Sequence, residues 1–485
     1  MLFSSLEFIL FFLPLTVAVY WLVLHRVGAQ WALVWLILAS LFFYSWWKLD
    51  YLPLILASII FNFVIGRPIG NLQYRQSLRK LLLVFGIAVN LGLLGYFKYY
   101  DFFISNIAQL IGADVSLLHL VLPLGISFFT FQQVAYLVDA YRGVCREYNL
   151  LHYSLFVTFF PQLIAGPIVH HSEMLPQFSD PANKRINYDN WARGLIIFII
   201  GLFKKVVIAD EFAQWANWGF DQADSLTLLE AWATSLSYSL QLYFDFSAYC
   251  DMAIGAALFF NVRLPINFDS PYKSANIQEF WRRWHMTLGR FIKDYIYIPL
   301  GGNRGSVPRV GITVLITFFL CGLWHGAGWG FIFWGVLHGT ATLIFKLWQK
   351  LDKPLAKPVA IAVTFLFVNC SWVFFRATDW PSAVKVIKGM FGFSGVAIPE
   401  SIAMLVPISG AQIAIVEQFP NMPTLTSTTL GYLLLFLAIV FLAKNSIELS
   451  RQLVLTRKLT ALSYVAALWA LFTINESHEF IYFNF

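Results

Sequence analysis

The chain has 485 residues, 59% of them apolar, with Asp, Glu, Lys and Arg making up only 12% and a formal net charge of +7. A soluble domain carries about twice that charged fraction, so a large water-soluble fold is excluded. The basic residues cluster between apolar runs, which fits loops at an anionic membrane surface and gives no sign of nucleic-acid binding.

A spanning helix needs about 20 mainly apolar residues. Residues 8–24 supply a first span, read as retained because no basic region precedes it and no small-residue cleavage site follows. Residues 27–47 and 51–66 follow as the second and third. Arg75, Arg79 and Lys80 then make a basic loop that marks the cytoplasmic side, and 81–97 is the next span. From Leu117 the pattern is irregular, and 155–169 is broken by Pro161, Gly166 and Pro167. Backbone exposed by such breaks must be buried in protein or face a wet cavity.

Residues 196–208 read as helix interrupted by Lys204 and Lys205, and 228–260 as one or two elements carrying Asp245 and Asp251. The segment 261–309 is the most polar long stretch. Within it Phe280, Trp281, Trp284, Leu288, Phe291, Ile292 and Tyr295 recur at roughly helical spacing, which predicts amphipathic helices at an interface or folded into the protein. Gly301 to Gly305 reads as a turn. Residues 310–345 contain no Asp, Glu, Lys or Arg and hold His325. Residues 359–375 form a span, 376–429 an external or re-entrant stretch, and 430–443 and 461–474 late hydrophobic elements. The expectation is an all-α polytopic membrane protein of about 11–13 membrane helices with short re-entrant or interfacial ones. It is one integral domain over 1–485, with N-terminal spans in 1–110, a catalytic core in 117–375 and the remainder in 376–485. No internal repeat suggests transporter halves.

His325, in Cys321-Gly322-Leu323-Trp324-His325-Gly326, is the leading candidate for chemistry. A titratable side chain in so apolar a stretch is costly unless it lines a cavity or finds partners. It could act as a general base or bond across packed helices. His285, in Phe280-Trp281-Arg282-Arg283-Trp284-His285, could orient a substrate, carry a proton or fix an interfacial helix. Arg282, Arg283, Arg290 and Lys293 could hold a phosphate-bearing donor, an acidic carrier or lipid headgroups. Asp245 could orient a histidine or pair with a basic residue of the polar segment. His170 and His171 read as rim residues, and His338 as a packing or supporting one. Cys145, Cys250, Cys321 and Cys370 form no CxxC pair and read as small core residues. No metal site is expected, since no HExxH or histidine-carboxylate spacing is present. The absence of a GxSxG elbow, P-loop or dinucleotide fingerprint weighs against serine hydrolysis, ATP-driven pumping and oxidoreduction.

Several motifs resemble the membrane-bound O-acyltransferase family. They are Leu122-Pro123-Leu124-Gly125 through Gln132, Pro161-Gln162-Leu163-Ile164-Ala165-Gly166-Pro167-Ile168, Tyr243-Phe244-Asp245-Phe246-Ser247-Ala248-Tyr249 and Asn267-Phe268-Asp269-Ser270-Pro271-Tyr272. The run from Phe280 to His285 and on to Tyr297-Ile298-Pro299-Leu300-Gly301-Gly302-Asn303-Arg304 carries the resemblance furthest, followed in order by Gly322-Leu323-Trp324-His325-Gly326. It is similar to the bacterial branch that O-acetylates alginate, with peptidoglycan O-acetylation and teichoic-acid D-alanylation proteins close by.

The resemblance implies a helical ring around a thin centre crossed by a tunnel. It implies His325 as the invariant histidine and His285 as the second one of this branch, with Asp245, Trp324, Arg282, Arg283 and Asn303 in binding or supporting roles. The implied reaction moves an acetyl group from a cytoplasmic thioester, acetyl-CoA or an acyl carrier protein, with no bound cofactor. The acceptor would be a hydroxyl of an exported polysaccharide, alginate foremost, reached directly or through a periplasmic acetyltransferase. The implied location is the bacterial inner membrane, among its lipids. A transporter or a noncatalytic export scaffold are the alternatives from other classes.

Overall fold

The computed structural model describes residues 1–145, 149–403, 413–451, 457–474 and 480–481. Among the described residues six helices are long and apolar enough to cross a membrane: Glu7–Arg26, Leu49–Gly70, Gln76–Ile111, Val307–His325, Trp329–Leu351 and Lys357–Arg376. Shorter apolar helices span Ala29–Ser45, Ser427–Leu442 and Ala461–Thr473. The chain is an all-α polytopic membrane protein. Among the described residues the strands are a parallel pair of four residues each, Val396–Pro399 and Ile413–Val416, in the stretch read as external or re-entrant; residues 404–412 of that stretch lie outside the described residues.

The other elements counted toward 11–13 are helical but packed inside protein. Leu228–Leu258 runs for 31 residues, and nearly every side chain on it is buried. At 1.5 Å per residue it is about 46 Å long, more than the bilayer core requires. Thr227 and Glu230 form a capping box at its start. It lies against Tyr188–Phe203, where Gly194 and Gly255 bring the backbones together; a Cβ on Gly255 would fall 2.6 Å from the Gly194 carbonyl oxygen. That approach is open only to glycine.

Several helices contain π-helical turns, including Gly95–Tyr99, Lys204–Ala209 and Lys293–Tyr297. The first explains why the expected span 81–97 is in fact part of a continuous helix Gln76–Ile111. Lys98 ends the apolar run in the sequence but not the helix.

The two ends of the helical bundle differ in charge. Arg79 donates to the carbonyls of Ile69 and Tyr141 (2.7 Å each), Arg142 to that of Asp294 (3.3 Å), and Lys346 to Asn303 (2.9 Å). These contacts gather the basic loop at 75–80, Arg142, Lys293, Arg304, Arg309 and Lys346 at one end. At the other end Trp329 donates to Asn106 (2.9 Å), Arg376 pairs with Asp221, and Ser382 bridges Asp379 to Phe220. The first end is the basic one, the side that the sequence expectation assigns to the cytoplasm.

Candidate active site

Val307–His325 and Trp329–Trp348 form a tight antiparallel hairpin. A Cβ on Gly322 would lie 2.3 Å from the Phe331 carbonyl oxygen, and one on Gly335 2.3 Å from that of Phe318. The first helix stops at His325 because Gly326 turns to extended backbone. The imidazole is 3% exposed and ringed by Trp324, Trp334 and Phe375 at centroid distances of 5.0, 5.1 and 5.2 Å.

His285 sits in left-handed backbone (φ 45°, ψ 52°) between the short helices Ile277–Arg283 and Met286–Ile292. Left-handed backbone is uncommon for any residue but glycine, and the surroundings hold it here. The Met286 amide donates to the Asn267 carbonyl (2.9 Å) and the Asp269 amide to that of Arg283 (3.0 Å). Phe246 packs edge-on against the His285 ring at 4.8 Å. Trp324 is shared by the two histidines: its centroid is 6.3 Å from His285 and 5.0 Å from His325, and it stacks on Phe131.

A pocket of about 770 Å³ opens on the basic side. Arg282, Arg290, Lys293, Lys346 and Asn303 line it, and it ends inward against Trp281, Phe318 and Cys321. His325 lies one helical turn past Cys321 and does not itself line the pocket. Where the resemblance implies a tunnel, the described residues form a basic-sided pocket that stops one turn short. Asn303 accepts hydrogen bonds from Tyr297 (2.7 Å) and Lys346 (2.9 Å). Arg290 also pairs with Glu173 (2.9 Å). Burial alone would raise the Glu173 carboxyl, but the Arg290 hydrogen bond and charge outweigh it and hold the pKa below its ordinary value.

Two expected participants are placed elsewhere. Asp245 does not orient a histidine; it pairs with Lys205 (3.2 Å), which also binds Asp210 (2.8 Å), and accepts from the Ile481 amide (2.9 Å). Its cation therefore comes from the interrupted helix and not from the polar segment. Arg283 turns away from the pocket to Glu279 (2.9 Å) and Asp269 (3.8 Å).

His338 supports the pocket wall. Its Nδ1 accepts from Trp281 Nε1–H (3.2 Å), so its Nε2–H donates to Ser371 Oγ (2.9 Å), which donates to the Val368 carbonyl (2.7 Å). His170 joins Tyr295 (3.2 Å), and His171 approaches Cys145 Sγ (3.0 Å). No group of three His, Cys, Asp or Glu side chains is suited to a metal ion among the described residues.

Sequence reasoning missed Lys98 and Tyr99, which reach the carbonyls of Leu323, Trp324 and His325. The signal was available, since Lys98 is the lone charged residue between Lys80 and Asp101.

Residues 117–377 match the model of MBOAT, the membrane-bound O-acyltransferase family. The chain is 46% identical over 522 aligned positions to a peptidoglycan O-acetyltransferase of Helicobacter pylori, covering 100% of this chain and 98% of that one. It is 38% identical to "Probable alginate O-acetylase AlgI" of Pseudomonas aeruginosa, over 81% of this chain and 75% of that one. A teichoic acid D-alanyltransferase of Bacillus subtilis is 30% identical over 52% of this chain and 67% of its own length. With its motifs in order on an all-helical membrane scaffold, the chain belongs to the membrane-bound O-acyltransferase family and is an acyltransferase.

Proposed function

We propose that this enzyme transfers an acetyl group from a cytoplasmic thioester to a hydroxyl of an exported polysaccharide across the bacterial inner membrane. The observation that carries the reading is the placement of the pocket. It opens among Arg282, Lys293 and Lys346 on the basic side, and its inner end lies one turn from His325. Cations at the mouth suit the phosphates of acetyl-CoA or the acidic surface of a carrier protein. His325 takes the proton of the acceptor hydroxyl, and the oxygen attacks the thioester carbonyl. The carbon–sulfur bond then breaks, and the departing thiolate takes up a proton.

Alginate is the acceptor suggested by the motifs. The 46% identity along the whole chain to a protein named for peptidoglycan O-acetylation favours a cell-wall glycan as the second reading. A periplasmic acetyltransferase is the proposed relay in either case. The test uses full-length protein in liposomes, labelled acetyl-CoA, and alginate or peptidoglycan fragments with candidate partners. Covalent label on one glycan identifies the acceptor. Label that crosses without being transferred supports a transporter instead. His325→Ala should abolish transfer while leaving thermal melting close to wild type; normal turnover by that variant removes the base assignment.

A further inference from the structure

A helix leaves its last four carbonyls without intrahelical donors. At the end of Val307–His325 each one has a partner. The Gly322 oxygen takes the Gly326 amide (3.4 Å), and the Leu323 oxygen takes the Tyr99 hydroxyl (2.8 Å). The Trp324 and His325 oxygens both take the Lys98 ammonium, at 2.6 and 3.2 Å. The third Lys98 acceptor is Ser127 Oγ (3.3 Å), at the start of the helix Ile126–Arg142. An ammonium has three N–H donors, so this arrangement uses them all. The charge also lies 5.8 Å over the Trp324 ring.

A lysine at membrane depth is expensive, and such residues mark function more often than packing. Here the π-helical turn Gly95–Tyr99 aims two adjacent side chains at three consecutive carbonyls of another helix. A cation complements the negative end of the helix dipole. Because the chain turns extended at Gly326, no further helical turn holds His325 in place. Lys98 and Tyr99 supply that restraint from outside.

We propose that Lys98 is a positioning residue: by clamping the Trp324 and His325 carbonyls it fixes the backbone of His325, and so the direction of its imidazole relative to the pocket. The inference rests on the reading of His325 as the base. Tyr99 contributes the weaker part of the same clamp, and Lys98 itself needs no contact with substrate.

The test compares Lys98→Met, Lys98→Gln, Tyr99→Phe and His325→Ala in the full-length protein, reconstituted and supplied with labelled acetyl-CoA. Misplacement of a reacting group by about 1 Å costs about 100-fold, so Lys98→Met should lower kcat by about that factor. Its donor KM should stay within about threefold of wild type, because ground-state binding is untouched. Lys98→Gln, which keeps two N–H donors, should fall between, and Tyr99→Phe should lose less than Lys98→Met. Wild-type kcat in Lys98→Met alongside an inactive His325→Ala overturns the positioning role and leaves the base assignment standing. A loss carried by KM alone also overturns it. Should Lys98→Met fail to fold, Lys98→Gln and Tyr99→Phe decide, and wild-type kcat in both overturns the proposal. Transfer that survives His325→Ala instead removes the base assignment on which the clamp depends.

Discussion

The side-chain oxygen of Asn267 lies 3.1 Å from His285 Nδ1 and also accepts from the amide (3.1 Å) and hydroxyl (2.9 Å) of Thr287. A carboxamide oxygen can only accept, so Nδ1 carries the proton and Nε2 is the basic nitrogen of His285. The tautomer is therefore set by a residue 18 positions earlier in the chain. Asn267→Ala should cost about 1–3 kcal/mol by leaving buried donors without their acceptor. It should also lower acetyl transfer by more than its melting shift explains, because the His285 ring can then rotate. Paired melting and turnover measurements on the reconstituted variant check this.

Gly322→Ala tests the close hairpin. The added methyl meets the Phe331 carbonyl at 2.3 Å, which is backbone and cannot swing aside. Overpacking of this kind costs about 1–3 kcal/mol. Because His325 is on the displaced helix, turnover should fall with stability. Gly431→Ala, where nothing stands within 4 Å, should leave both unchanged.

The buried Lys205–Asp245–Asp210 cluster predicts a sharp asymmetry. Lys205→Met takes the shared cation from both carboxylates at once, and breaking a buried pair from one side costs about 3–5 kcal/mol. Asp245→Asn should cost less, since Asp210 still pairs with Lys205. Thermal unfolding in detergent, read for both variants, distinguishes the two; equal effects would refute the assignment of the charges.

Glu173 and Arg290 predict a pH dependence. The Glu173 carboxyl is held below its ordinary value near 4.5 when folded, burial opposing and Arg290 prevailing. A depressed folded pKa contributes stability above the unfolded value, and the contribution disappears as pH falls through the folded one. The melting difference between wild type and Glu173→Gln should thus be present at neutral pH and shrink below about pH 4.5. A difference that grows on acidification would contradict the pairing.

His325 was legible because no Asp, Glu, Lys or Arg stands between residues 310 and 345, so an imidazole there is conspicuous. The spans were legible from apolar length, and the amphipathic pattern from Phe280 to Tyr295 falls largely on the short helices Ile277–Arg283 and Met286–Ile292. Lys98 was equally conspicuous as a lone charge, but its target was not legible, because the bulge that carries the helix past it leaves no compositional trace. Nor could the sequence say which cation meets Asp245. Lys205 lies 40 positions away on a neighbouring helix, and only packing selects it over the arginines of the polar segment. Arg282 and Arg283 are adjacent and chemically equal in the sequence, yet one lines the pocket and the other is tied to Glu279.

The π-helical turns have a consequence for how such a site can arise. Lys98, Lys204, Lys205 and Lys293 all sit in them. Each residue advances a helix by about 100°, so a single inserted residue re-aims everything beyond it by more than a quarter turn. Before Gly95 the helix Gln76–Leu94 keeps few of its side chains buried; after it, Lys98 and Tyr99 point at the histidine-bearing neighbour. One small insertion can thus turn the far half of a helix that packs on its neighbours with only a few residues into the donor of an inward cation.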